Sequence, residues 1–207
     1  MQIFRGSPHN IVWRSHIDDP ETPEKMALRL HSLIATDLPF PAHRPLLFFC
    51  IGTDRSTGDA LGPLIGTYLI TLGFSTSHVW GTLDSPVHAV NLRSTIDKVY
   101  SSFQNPYIIA ADACLGKLES VGMITVSPGP LRPGTGVSKT LPPIGDIHIT
   151  GIVNVGGYME YLVLQNTRLS MVVKMAKVIS EILFQATNKF VIQPKNKKGL
   201  PHIYPMP

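Results

Sequence analysis

The segment from Leu46 to Leu72, LLFFCIGTDRSTGDALGPLIGTYLITL, constrains this chain more than any other stretch. An apolar run suited to a buried strand breaks into a polar loop bearing Asp54 and Asp59, and Gly62-Pro63 then opens an apolar helix. Strand, loop and helix in this order form the unit of an open α/β sheet, whose ligands bind in the loops at the carboxyl ends of the strands. A second strand-like run, residues 107–111, leads directly into another carboxylate, Asp112. Two strand ends that each deliver a carboxylate are the constellation on which a functional reading can be built.

The rest of the chain repeats the alternation. A strand over 46–51 precedes a helix over about 60–72, which Gly73 ends. A strand over 78–83 and a helix over 87–103 follow, then the strand 107–111. That last run is apolar throughout, as a strand covered on both faces must be. Residues 123–126 form a short strand with no helix before it, so an antiparallel edge is expected. A Gly- and Pro-rich loop spans 127–145, a strand covers 147–153, and one long amphipathic helix runs from about 157 to 184. The order predicts a three-layer α/β/α domain with a mostly parallel sheet. Residues 46–190 are assigned to it. Residues 1–45 are read as a leader plus a helical extension starting at Thr22-Pro23-Glu24, and 191–207 as a basic Pro-containing tail.

Composition supports an ordered core: 43% of the 207 residues are apolar and only 15% charged. No apolar run reaches the roughly 18 residues a membrane helix needs, and MQIFRGSPHN carries no secretory pattern, so a cytoplasmic protein without membrane partners is expected. Cys50 and Cys114 lack metal-ligand spacing and read as reduced thiols. The net charge of +4 rests partly on Lys189, Lys195, Lys197 and Lys198. No aromatic residues interleave them as a base-stacking platform requires, so no nucleic-acid partner is expected. Self-association is left open.

Familiar motifs are missing from a context that could host them. There is no phosphate-binding P-loop, no dinucleotide fingerprint after the first strand, no serine elbow and no zinc-protease helix. Carboxylate chemistry remains. Asp59 at a helix start has an ordinary role as a cap, and Asp54 one as a turn residue. Asp112 is harder to assign to structure, because a carboxylate after five apolar residues is costly unless paired, hydrogen-bonded or used. Adjacent parallel strands about 4.8 Å apart would bring Asp59 and Asp112 within reach of one water or one metal ion. The pair would then act either as a proton-sharing acid and base or as ligands of a divalent cation; no cofactor is required. His78, His88 and His148 read as core or edge histidines, Cys114 as packing, and Met159, Met171 and Met175 as helix core. Arg55, Arg132 and Lys139 could orient a substrate, and Asn154 could hydrogen-bond one or simply end a strand. Gly134 and Gly136 in the long loop would allow close backbone approach, making 127–140 a substrate-facing wall.

Three blocks in order carry a family resemblance. GTDRSTGDALGP resembles the G-N-x-x-x-T-P-D-A-L-G-P stretch of the spore germination protease family. IIAADACLG is similar to its apolar strand ending in D-A-L-A, and RPGTGVSKTLPPIG with IHITGIVNVGG resembles its following loop and strand. The match covers residues 46–156, and is nearest to the small sporulation proteins of the YyaC type grouped with that protease. Hydrogenase maturation proteases are more distantly similar. The resemblance implies a phosphorylase/hydrolase-like α/β fold and a sporulation-associated peptidase acting on a protein substrate such as a spore protein, located in the forespore or spore core. It also implies Asp59 and Asp112 as the essential aspartates, with Asp54 standing where the relatives carry Asn. A non-catalytic binding protein on the same fold, or a metal-recognising protease of the maturation type, are the alternative readings.

Overall fold

The computed structural model describes residues 12–38, 44–133, 141–188 and 190. Its order is β1 (Trp13–His16), α1 (Thr22–Asp37), β2 (Leu46–Cys50), α2 (Leu61–Thr71), β3 (Val79–Trp80), α3 (Leu92–Ser102), β4 (Tyr107–Gly116), β5 (Met123–Pro128), β6 (Ile147–Val155), α4 (Glu160–Gln165) and α5 (Leu169–Thr187). The strands build one six-stranded sheet in the order β1-β5-β6-β4-β2-β3. β6, β4, β2 and β3 run parallel, while β5 is antiparallel to both β6 and β1. The expected α/β fold with a mostly parallel sheet is therefore present.

Alternation along the strands sorts the core into two layers. Leu46, Phe48 and Cys50 of β2, with Tyr107, Ile109 and Ala111 of β4, face α1, α2 and α5. Leu47 and Phe49, with Ile108 and Ala110, face α3. Every residue of β2 is buried, and burying Phe48 or Phe49 alone contributes about 1.5–3 kcal/mol. α2 can lie this close to the sheet because Gly62 has no side chain: a Cβ there would stand 1.9 Å from the carbonyl oxygen of Ile51.

Several boundaries differ from the sequence reading, each for a local reason. Residues 13–16, expected in a loose leader, pair with β5, so β5 is not an edge strand. Trp13 packs into the larger core layer and α1 buries Met26, Leu30 and Ile34 there, so this extension belongs to the same body as the sheet. Thr22 does not cap α1; its hydroxyl donates to the carbonyl of His16 at 2.7 Å, and Pro23 sits in the first turn. β3 is short because a turn closed by Thr82 N–H donating to the Ser85 carbonyl follows it. α3 starts at Leu92 rather than 87, since Val87 bridges to Ile51 and Asn91 folds back to accept the His88 amide. The long final helix is split in two. Asn166 Nδ2 and Thr167 Oγ1 donate to the carbonyls of Leu162 and Val163, the competition with the backbone that makes these residues poor helix formers. Met175 is core, but Met159 is 54% exposed and holds a left-handed φ of 54°. The tail lysines and residues 134–140 lie outside the described residues.

The contact at Gly62 yields a stability prediction. Gly62→Ala is expected to destabilise by about 3 kcal/mol, the upper end for overpacking a core, read as a lowered urea midpoint. An unchanged midpoint would mean that α2 does not sit on the end of β2 as described.

Candidate active site

The order of connections creates the site. From β2 the chain passes through α2 to β3 on one side, then through α3 to β4 on the other side of β2. α2 and α3 lie on opposite faces. The carboxyl ends of β2 and β4 therefore flank a topological switch point, the place where an open α/β sheet offers a crevice. The ladder fixes their alignment, with Cys50 opposite Ala111 and the Ile51 amide donating to the Ala111 carbonyl at 2.7 Å.

Residues 52–60 form the loop leaving β2. Thr53 N–H donates to the Asp59 carbonyl at 3.1 Å, closing the loop on itself, while Gly58 N–H donates to the carbonyl of Leu164 at 2.8 Å and ties it to the α4–α5 junction. Gly52 holds φ 149°, and a Cβ on it would meet the Asp59 carbonyl oxygen at 2.0 Å, so closure of the loop requires glycine here. Asp59 does not cap α2 through its side chain. Burial raises its carboxyl above the usual range, and the hydroxyl of Ser56 draws it partly back. Ser56 itself is 5% exposed, and its Oγ makes no well-formed hydrogen bond.

β4 runs on past the expected end at Ala111, so Asp112 is a strand residue rather than the first residue beyond one. Alternation puts it on the α3 side of the sheet. The residue keeps some solvent contact, yet its carboxyl is densely surrounded by protein. Burial raises its pKa to about 8, the Ala113 N–H donating to Oδ1 at 2.8 Å opposes the rise, and the charge of Asp59 adds to it. The two carboxylates are thus electrostatically coupled, with Asp112 the one that keeps its proton at neutral pH. Among the described residues, no cluster of three or more His, Cys, Asp or Glu side chains is arranged to hold a metal. A divalent cation here would take Asp59 and Asp112 as protein ligands and complete its shell with water or substrate.

The other residues singled out in the sequence divide clearly. Asp54 is exposed and accepts a long hydrogen bond from Thr53 Oγ1 at 3.5 Å. Arg55 and Arg132 are exposed. Gly134, Gly136 and Lys139 lie outside the described residues. Asn154 is inside β6, not past it, and the pairing of β4 with β6 skips Val153 there, a bulge that re-aims the next side chain. Asn154 Nδ2 consequently donates to the Val163 carbonyl at 3.3 Å and to Thr167 Oγ1 at 3.2 Å, bracing the same junction that holds Gly58. Cys50 is buried and its thiol is pushed up to about 12. Cys114 lies on the Asp112 side of β4, its thiol also raised by burial. His148 Nδ1 shares a hydrogen bond with the Gly129 carbonyl.

Sequence reasoning missed a polar row across the open part of this face. Asp112 stands opposite Thr150 of β6, Thr150 opposite Thr125 of β5, and Thr125 opposite Arg14 of β1. Only the weak alternation in Trp13-Arg14-Ser15-His16 signals the strand that completes it.

Comparison with known proteins matches residues 14–182 to the family described as "Protein of unknown function (DUF1256)". The "Uncharacterized protein YyaC" of Bacillus subtilis (strain 168) is 51% identical over 155 residues, spanning 75% of this chain and 76% of that protein. Among solved structures, the NiFe hydrogenase maturation protease HycI from Thermococcus kodakarensis KOD1 aligns with a TM-score of 0.42 and 19% identity. The alignment covers 67% of this chain and 92% of that one.

The raised pKa of Asp112 has a thermodynamic signature. The folded protein binds this proton up to about pH 8, whereas an unfolded aspartate releases it near pH 3.9. Between those values the native state holds more protons, so stability falls as pH rises through that window. Asp112→Asn, which mimics the protonated form, is expected to match wild type in melting temperature only below about pH 4 and to exceed it by a margin that grows from pH 5 up to about pH 8. Parallel melting curves for the two proteins across pH 5–9 would contradict the assignment.

Proposed function

The chain belongs to the DUF1256 family, and on that premise we propose that it is a peptidase that hydrolyses an amide bond of a protein substrate with Asp59 and Asp112 as its proton-transfer pair. The observation that carries this reading is the coupling of two partly buried carboxyl groups at one switch point, of which Asp112 is the more strongly desolvated. Asp112 is held protonated to about pH 8, and Asp59 is raised less. Such a division is how paired carboxylates supply an acid and a base at the same pH.

In the reaction, ionised Asp59 removes a proton from a water molecule as its oxygen bonds to the substrate carbonyl carbon. Asp112 gives its proton to the carbonyl oxygen, and the peptide π bond becomes a C–O single bond. The tetrahedral intermediate then collapses: Asp59 passes the captured proton to the leaving nitrogen, the C–N bond breaks, and Asp112 recovers its proton from the hydroxyl that becomes the new carbonyl. Both groups return to their starting states. Asp54, exposed within the loop that carries Asp59, meets substrate before it reaches the pair. The sporulation setting and a spore-protein substrate follow from the resemblance carried by GTDRSTGDALGP and IIAADACLG.

Against a panel of spore proteins, Asp59→Asn and Asp112→Asn are each expected to lower kcat by roughly 10²–10⁴-fold, the usual contribution of an acid or base. Wild-type activity is expected to decline above about pH 8 as Asp112 loses its proton. Chelation should leave the rate unchanged; restoration by added divalent metal after a chelator-induced loss would convert the pair into metal ligands. Binding of a spore protein without cleavage would replace the peptidase by a binding protein.

A further inference from the structure

The polar row that ends at Arg14 borders a cavity of ≈ 490 Å³ on the Asp112 face, lined by Arg14, Cys114, Lys117, Glu119, Thr125 and Thr150 among others. We propose that this cavity is a carboxylate-binding subsite for the peptide substrate, with Arg14 as the recognising group, an inference that rests on reading Asp59 and Asp112 as the catalytic pair.

Four features support it. Arg14 and Lys117 against Glu119 leave the lining with one excess positive charge, matched to a single carboxylate rather than to a doubly charged phosphate. Arg14 forms no salt bridge among the described residues, so its guanidinium is available for the two-pronged pairing with a carboxylate that this side chain favours. Its charge reaches into the cavity, where it pulls down the thiol of Cys114 against the effect of burial. Thr125 and Thr150 add hydroxyl donors on the floor between Arg14 and Asp112.

The spacing suits a peptide lying across the strands. Three interstrand steps of about 4.8 Å separate the Arg14 and Asp112 backbones, and the arginine side chain can bridge part of that distance. With about 3.3–3.6 Å per extended residue, the recognised carboxylate lies roughly two to three residues from the bond that is cut. The carboxylate can belong to an acidic side chain or to the free end of a chain.

The test uses the full-length Asp112→Asn protein, chosen so that peptide is not cleaved during the measurement, and a fluorescein-labelled octapeptide library prepared in four versions: with Glu or with Gln at each position, and with a free or amidated C-terminus. Carboxylate-bearing peptides are expected to bind at least tenfold more tightly than the Gln, amidated set. Introducing Arg14→Gln should erase that preference and leave the weak binding of neutral peptides unchanged, while Arg14→Lys should retain part of it. Dependence on Glu identifies a side chain as the source, and dependence on the free acid identifies the chain end. Equal binding of all four versions, a preference that survives Arg14→Gln, or no binding by any peptide overturns the subsite. Arg14-dependent binding together with no cleavage by the wild-type protein would retain the subsite and remove the peptidase reading.

Discussion

Parallel pairing of β2 with β4 buries both strands on both faces, so neither can carry a charged side chain along its paired length without heavy cost. The carboxylates appear where that pairing ends. Asp59 enters from the loop that leaves β2, and Asp112 follows the last paired residue of β4. Because α2 and α3 depart to opposite faces, the end of the ladder is also where the chain opens a crevice. One constraint thus positions the two carboxylates and leaves each of them only partly exposed to water.

Desolvation then sorts the pair. Asp112 sits in a strand whose preceding residues are apolar, and only one backbone amide opposes the cost of charging it. Asp59 lies in a self-closed loop near a buried hydroxyl that eases ionisation. The difference comes from a strand environment set against a loop environment, not from any difference in the side chains themselves. Two chemically identical groups ionise differently because of the secondary structure that presents them.

The layering was legible in the chain because apolar runs of β2 and β4 length have few other uses, and the strand-end aspartates announced themselves by their cost. What escaped notice depends on long-range geometry. Trp13–His16 is too short to signal a strand alone and becomes one only when β5 provides a partner. Asn154 reads as a strand end or a substrate contact because no local pattern reveals that β6 runs on and skips one residue against β4. The split between α4 and α5 was written in Asn166-Thr167, but the apolar periodicity on either side concealed it. Resemblance in the family blocks sets Asp59 above Asp54, which local sequence alone does not; in the structure Asp54 is exposed and the charge of Asp59 acts on Asp112.

The hydrogen bond from Gly58 to Leu164 joins segments more than a hundred residues apart in sequence. The amide belongs to the loop of Asp59, but its acceptor belongs to the junction of α4 and α5. Its exchange with solvent deuterium therefore measures how often the junction lifts away, even where the loop itself keeps its internal turn. A single backbone proton serves as a clock for the separation of the acid-bearing loop from the C-terminal helices, readable without any substrate in hand.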